Sequence, residues 1–282
     1  MVTGILFGLA SATVWATSSL MVKAQSARVD SFSFNAFRMI VTAIIFLAAL
    51  PFFGGWDALA NFSWTARAAL TISIICGGAF GDSLYFWSMT QIGAARAMPL
   101  SGLYPLFTWA IAVPLLGEIV TVRAVIGTIV ALIGLYLLAP ARNGDAIINA
   151  RVNRAGVLAA ISAAILWAIS TTMMKVGLQD GANVVVINSF RLPLGALVLA
   201  MILTRWRGRA AWSTLRRDDL PRLIALSVYG TALGSVLWIW SVEYAGAARA
   251  ALVNSMAPLM GVPLAIIFLR ERVTRRIVFG AL

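Results

Sequence analysis

The chain has 282 residues, of which 61% are hydrophobic and only 11% charged, with a mean hydropathy of +0.92. A soluble domain of this length carries about a quarter charged residues, so the composition excludes an ordinary soluble enzyme and points into lipid. The net charge of +12 sits mainly as arginines in short connections such as 205–222 and 270–276, where it suits phosphate headgroups rather than nucleic acid.

A helix needs about 20 apolar residues to cross the hydrocarbon core. The first such run, 4–22, has no polar leader and no cleavage site, and reads as a spanning helix rather than a signal peptide. Further spans are expected at 34–53, 68–89, 97–116, 121–139, 155–174, 184–203, 221–242 and 250–269. A tenth begins near Ile277 and stops after about six residues, well short of the ~20 a span needs, so a trimmed carboxyl end is expected. None of the runs alternates apolar and polar residues as a membrane β-strand would. The fold class expected is therefore an all-α integral membrane protein of ten transmembrane helices. A single cysteine, Cys76, rules out an internal disulfide or a cysteine metal cluster, and the absence of histidine removes the commonest general base. No cofactor or metal is expected.

The two halves repeat. Trp15 and Lys23 recur as Trp167 and Lys175, 152 positions later. "NAFR" (Asn35 to Arg38) recurs as "NSFR" (Asn188 to Arg191), and Gly81, Trp87 and Ser88 as Gly234, Trp240 and Ser241, all 153 positions later. "IGAARAMPLSGLYPLF" and "AGAARAALVNSMAPLM" share a Gly-Ala-Ala-Arg-Ala run, and Pro105 falls opposite Pro258. The expected organisation is a first repeat at 1–140, a linker at 141–154 and a second repeat at 155–282. With five helices per repeat, the second copy enters the membrane from the opposite side. Inverted halves of this kind are a recurring construction of secondary transporters.

Few residues could carry transport. Pro105 and Pro258 interrupt the fourth and ninth spans and are hinge or helix-break candidates; a packing kink is the plainer reading. Asp82 is the only acid placed in mid-membrane. A lone carboxylate there costs at least about 2.5 kcal/mol, so it needs a cavity, a substrate amine, or a partner such as Arg38 or Lys23. Arg38 and Arg191 are membrane charges whose guanidinium forks could bind a substrate carboxylate; snorkelling or helix capping is the structural alternative. Arg96 and Arg249 read as anchors, and Glu118 and Glu271 as acids placed at positive helix amino-termini. Trp56, Trp64, Trp206 and Trp212 fall in or beside loops, as an interfacial belt requires. Trp15, Trp87, Trp109, Trp167, Trp238 and Trp240 fall inside spans, among hydroxyls and amides that suit an amphipathic ligand.

Two five-helix repeats, each opening on a "W…K" helix followed by Asn-x-Phe-Arg, a "GAARA…P" helix and a "LLGE…T" junction (repeated at Phe268 to Gly280), resemble the EamA family of the drug/metabolite transporter superfamily. The resemblance spans essentially the whole chain. It implies a multi-pass carrier of the bacterial inner membrane, exporting amino acids or related metabolites, and the chain is similar to aromatic amino-acid exporters within the family. In such carriers spans one, three, four, six, eight and nine surround a central cavity. Carried over by helix, this points to Trp15, Asp82, Tyr85, Ser101, Tyr104, Trp167, Trp238 and Ser241 as the substrate-binding residues.

The expected partners are a small-molecule substrate and the lipid bilayer, with no nucleic acid; the sequence leaves the oligomeric state open, a monomer included. Positive-inside counting puts the odd-numbered loops in the cytoplasm and the amino-terminus outside, whereas the resemblance implies an amino-terminus inside. Drug or nucleotide-sugar carriage is the alternative within transport. No GxxxxGK[ST] loop occurs, and Asp82 alone falls short of the side-chain cluster an intramembrane enzyme needs, so the protein is expected not to be an enzyme.

Overall fold

A computed structural model describes residues 1–25, 29–118 and 153–257, with isolated helical positions between 122 and 133. All regular structure among the described residues is helical. We label the helices α1 (Val2–Gln25), α2 (Ser31–Ala49), α3 (Trp64–Ile92), α4 (Ala94–Ser101), α5 (Tyr104–Leu116), α6 (Arg154–Gly177), α7 (Val184–Arg207), α8 (Arg217–Ala245) and α9 (Ala247–Asn254). Seven segments among the described residues are long and apolar enough to cross a membrane, α4 and α5 together making one of them. They coincide with the expected first to fourth and sixth to eighth spans. Most of the fifth span, the ninth beyond Ala257 (Pro258 included), the tenth, Glu271 and nearly all of the linker lie outside the described residues.

Local sequence sets the ends of these helices. Asp30 caps α2 by accepting the Ser33 amide, and Asn183, at the matching position of the second half, caps α7 through the amides of Val185 and Val186. Ser63 caps α3 and Asn153 caps α6 in the same way. α4 and α9 each start after a glycine at positive φ, Gly93 (φ 78) and Gly246 (φ 86), a backbone conformation that a side chain would strain.

The halves repeat in backbone detail that sequence patterning does not show. Both α3 and α8 open into a π-helical stretch, Ile74–Gly81 and Ser227–Leu233. Such segments are rare and often lie beside functional sites. Each returns to α-helix next to Gly81 or Gly234, one residue before Asp82 or Ser235. The fourth span breaks at Gly102–Leu103, and the same two-residue turn recurs at Ser255–Met256. Hydrogen bonding carries into the break, where Gly102 donates to Met98, and Leu103 and Leu106 donate to Leu100 and Leu103 in tightened turns. Pro105 sits in the first turn of α5, where a missing amide hydrogen is no loss. It therefore marks the restart of the helix rather than freeing carbonyls in its middle.

Packing partners are exchanged between the halves. α1 packs along α8 and α6 along α3, each through small residues that let backbones touch. A Cβ on Gly4 would come within 2.6 Å of the Ala245 nitrogen, and one on Gly77 within 2.3 Å of the Ser170 hydroxyl. Both pairs run antiparallel: Gly4 meets Ala245 while Gly230 meets Ser18, and Gly156 meets Ile92 while Gly177 meets Leu70. α2 and α7, equivalent helices of the two halves, pack against one another and also run in opposite directions. Ser33 near the start of α2 donates to the Ala211 carbonyl just past the end of α7, and Ser189 of α7 donates to Phe46 near the end of α2 at 2.9 Å. Around this seam Met39, Ala43, Ile74, Leu192, Ala196 and Leu199 form an apolar cluster.

Candidate functional site

The buried charges Arg38, Asp82 and Arg191 lie, with Asn35, Ser73, Ser170 and Asn188, where α2, α3, α6 and α7 meet. Arg38 and Arg191 each lie two turns into their helices, 4% and 3% exposed. At that burial neither snorkels, because a guanidinium reaching the headgroups would be wet. Arg96 and Arg249, by contrast, are exposed at the starts of α4 and α9.

Arg38 is fully engaged. It forms a salt bridge with Asp82, donates from Nε to Asn35 Oδ1 at 2.7 Å, and stacks its guanidinium over Phe86 (4.8 Å) and Trp15 (5.5 Å). Asn35 is fixed in turn, its amide donating to the Gly78 and Ala79 carbonyls and to Ser83 Oγ at 2.8, 3.2 and 2.7 Å. The first two acceptors belong to the π-helical stretch of α3, so the Asn-x-Phe-Arg motif locks α2 to that distortion. Asp82 accepts from Arg38 on Oδ2 and from the Trp167 indole on Oδ1, at 2.8 Å for the latter. Both oxygens already accept a donor, so an incoming ammonium would share the carboxylate with Arg38 and Trp167. Isolating a charge at this depth is costly: removing one member of a buried pair typically destabilises by about 3–5 kcal/mol.

Trp167 joins this pair to an aromatic wall. Its ring lies 5.0 Å from Tyr85 and 6.0 Å, edge-on, from Tyr104, and it packs on Gly81, where a Cβ would lie 2.8 Å from its Cδ1. Trp15, its counterpart in the first half, faces Gly234 in the matching way. Trp15, Trp167 and Trp238 are each half-buried although they lie inside helices that are otherwise packed against the buried charges.

The second half carries a different arrangement. Arg191 donates from Nη2 to Ser73 Oγ at 3.1 Å and stacks over Trp238 at 5.2 Å. Ser73 and Ser170 hydrogen-bond each other across α3 and α6. Arg191 Nε and Asn188 Oδ1, the counterparts of the bonded Arg38 Nε and Asn35 Oδ1, are both buried without a partner among the described residues. The Asn188 amide donates instead to Ser235, which stands where Asp82 stands in the first half.

The structure thus brings together Trp15, Arg38, Asp82, Tyr85, Tyr104 and Trp167, and places Arg191 with Trp238 beside them. The Ser101 hydroxyl returns to the Met98 carbonyl of its own helix, and Ser241 is buried against Gly8 of α1. Glu118 is a capping acid for α9, accepting the Ala247 and Ala248 amides at 2.7 and 2.8 Å. Among the loop tryptophans, Trp56, Trp64 and Trp206 are exposed, whereas Trp212 packs against the core and donates to Thr204. Asn35, Asn188 and Ser73 were not singled out from sequence as site residues. The signal was present for the asparagines, since a residue three before an arginine shares its helix face. Among the described residues no group of histidine, cysteine or acid side chains could hold a metal ion.

Comparison with known proteins agrees with this architecture. A solved crystal structure superposes over 99% of this chain and 93% of its own with a TM-score of 0.77 at 20% identity, a likeness of fold. An "uncharacterized transporter" of Archaeoglobus fulgidus is 25% identical over 98% of this chain and 93% of its own length. Another, of Clostridium kluyveri, is 24% identical over 98% and 89%. A probable terminal-alkyne amino-acid exporter of Streptantibioticus cattleyicolor is 30% identical over 42% of this chain and 38% of its own. The EamA-like transporter family profile matches residues 2–139 and again 154–282. Apolar helices, a doubled profile and transporter relatives along the full length lead to one conclusion: the chain is a multi-pass membrane protein and belongs to the EamA-like transporter family of the drug/metabolite transporter superfamily.

Proposed function

We propose that the protein is a secondary transporter of the bacterial inner membrane, exporting amino acids or related small amphipathic metabolites by alternating access between two inverted repeats, 1–140 and 155–282. The observation that carries the reading is the seam between α2 and α7. Equivalent helices pack on each other in opposite directions, Asn35 of α2 bonding carbonyls of the π-helical stretch of α3 and Asn188 of α7 bonding Ser235 just past that of α8. Because α1 pairs with α8 as α6 pairs with α3, exchanging the two halves preserves the contacts. Two arrangements of similar energy, open to opposite sides, are then available to one bundle. The half-buried Trp15, Trp167 and Trp238, with Tyr85 and Tyr104, supply apolar walls, and the paired charges supply polar specificity. The amino-acid exporter among the relatives favours amino acids over drugs or nucleotide sugars.

The test is counterflow of labelled amino acids in proteoliposomes of the full chain. Single replacement of Trp15, Trp167 or Trp238 by alanine should reduce exchange at least 10-fold with folding intact by thermal melting. The same change at exposed Trp64 or Trp206 should leave exchange within about 2-fold. Equal effects in both sets, or exchange of nucleotide sugars but no amino acid, would sink this reading.

A further inference from the structure

The two repeats differ at one buried charge. In the first, Arg38 is neutralised by Asp82 and its Nε is satisfied by Asn35. In the second, the acid's position is held by Ser235, 153 residues after Asp82, and no carboxylate lies within salt-bridge distance of Arg191 among the described residues. The only acids outside the described residues are Asp145 and Glu271, both in connections between predicted spans. Arg191 is 3% exposed, and among the described residues neither its Nε nor the side-chain carbonyl oxygen of Asn188, three positions earlier, has a partner. Asp82 is near enough to act on Arg191 electrostatically, but its two oxygens close on Arg38 and Trp167. The seam therefore holds two guanidiniums against one carboxylate.

We propose that Arg191 and Asn188 form a carboxylate-binding subsite, the place where a substrate's own carboxylate completes the pairing that Asp82 completes internally in the first repeat. A guanidinium with a free edge matches a carboxylate by two parallel N–H donors. The ring of Trp238 already covers one guanidinium face, so the ligand approaches edge-on. The orphaned Asn188 oxygen is an acceptor and suits an ammonium on the same ligand carbon. The predicted ligand is a small molecule with a free carboxylate, an α-amine and an apolar body. Amines without a carboxylate fit poorly, because they add a third positive charge to the seam. This assignment rests on the transporter reading above for the ligand's route, but not for the unpaired charge of Arg191.

Two arms test it separately. In the binding arm, L-phenylalanine, 3-phenylpropionate and phenethylamine compete with labelled L-phenylalanine on the purified full chain. Both carboxylates should compete, and phenethylamine should be about 10- to 100-fold weaker, as expected for losing a charged hydrogen-bonded pair. Arg191→Gln should weaken the carboxylates by about 10-fold or more, to the level of phenethylamine, while phenethylamine, facing one positive charge fewer, should bind no more weakly than to the parent. In the stability arm, Ser235→Asp supplies the missing acid from within. It should melt higher than Ser235→Asn and abolish carboxylate binding. Phenethylamine competing as well as phenylalanine, or a carboxylate preference that survives Arg191→Gln, overturns the subsite while leaving transport intact. Ser235→Asp melting no higher than Ser235→Asn overturns it as well. A higher melting Ser235→Asp in a protein that binds none of the three compounds supports the anion site and overturns the amino-acid reading of the substrate.

Discussion

Replacing Asp82 by asparagine isolates the charge at the centre of the bundle. The side chain is 6% exposed and both oxygens are used, one by Arg38 and one by Trp167. An asparagine is nearly the same size, so packing is conserved and the loss is electrostatic. Its single carbonyl oxygen can accept from Arg38 or from Trp167, but its amide must then face the other donor. Arg38 would stay buried with only Asn35 and two aromatic faces for company, and Arg191 would lose the only negative charge acting on it from the same seam. Leaving one member of a buried pair uncompensated costs about 3–5 kcal/mol. The Trp167 bond adds little beyond that, because the asparagine oxygen can keep it. Unfolding of the purified protein, followed by thermal or SDS titration in detergent, should show a loss of that size. Adding Arg38→Gln should recover part of it, giving a coupling energy within the range of about 0.5–3 kcal/mol found for directly contacting residues. An Asp82→Asn protein within about 1 kcal/mol of the parent, or strictly additive single changes, would mean that the pair does not stabilise the bundle and that the reasoning about buried charge is wrong here.

Two further outcomes follow from packing and from pH. Gly77→Ala places a methyl 2.3 Å from Ser170 Oγ and 2.7 Å from its Cβ, so α3 and α6 must part; a loss of about 1–3 kcal/mol is expected. Gly234→Ala meets nothing closer than 3.4 Å and should be near neutral, so equal melting of the two variants would refute the close-approach argument. Asp30, outside the spans, is pushed up by partial burial, but the hydrogen bond from Arg207, the Ser33 amide and hydroxyl, and the Arg207 charge outweigh this and hold its pKa below the ordinary 3.8. A lowered folded-state pKa stabilises above the unfolded value, and that contribution is lost as pH falls through the folded pKa. Melting temperature should therefore carry an acid-side decline below about pH 4 that Asp30→Asn removes, with the cap kept because asparagine caps helices as well as aspartate. An unchanged acid-side decline in Asp30→Asn would discount the pair with Arg207.

The amino-acid sequence by itself determined where apolar runs long enough to span lie among the described residues, that the halves repeat, and that Asp82 puts a charge in mid-membrane. Each of these follows from local quantities: run length against membrane thickness, residue identity at a fixed offset, and the cost of an ionised group in hydrocarbon. It also marked Asp82, Arg38 and Arg191 as needing partners. What it left open was the pairing, since Arg38 and Lys23 were equal candidates for Asp82 and a substrate amine was a third. Pairing depends on which helix faces meet, and α2 reaches Asp82 only because its asparagine binds carbonyls exposed by the π-helical stretch of α3. That stretch has no periodic signature, because a change from four- to five-residue hydrogen bonding leaves composition untouched. The same limit applies to Pro105, whose sequence effect reads as a break but whose place in the first turn of α5 makes it a start. Only the tertiary structure showed that duplicated motifs are unequal in their bonding. Arg38 and Arg191 are equivalent in sequence, yet one is closed by an acid of α3 and the other hydrogen-bonds a serine of the same helix, Ser73, because a side chain's electrostatic state is decided by its neighbours across the seam rather than along the chain.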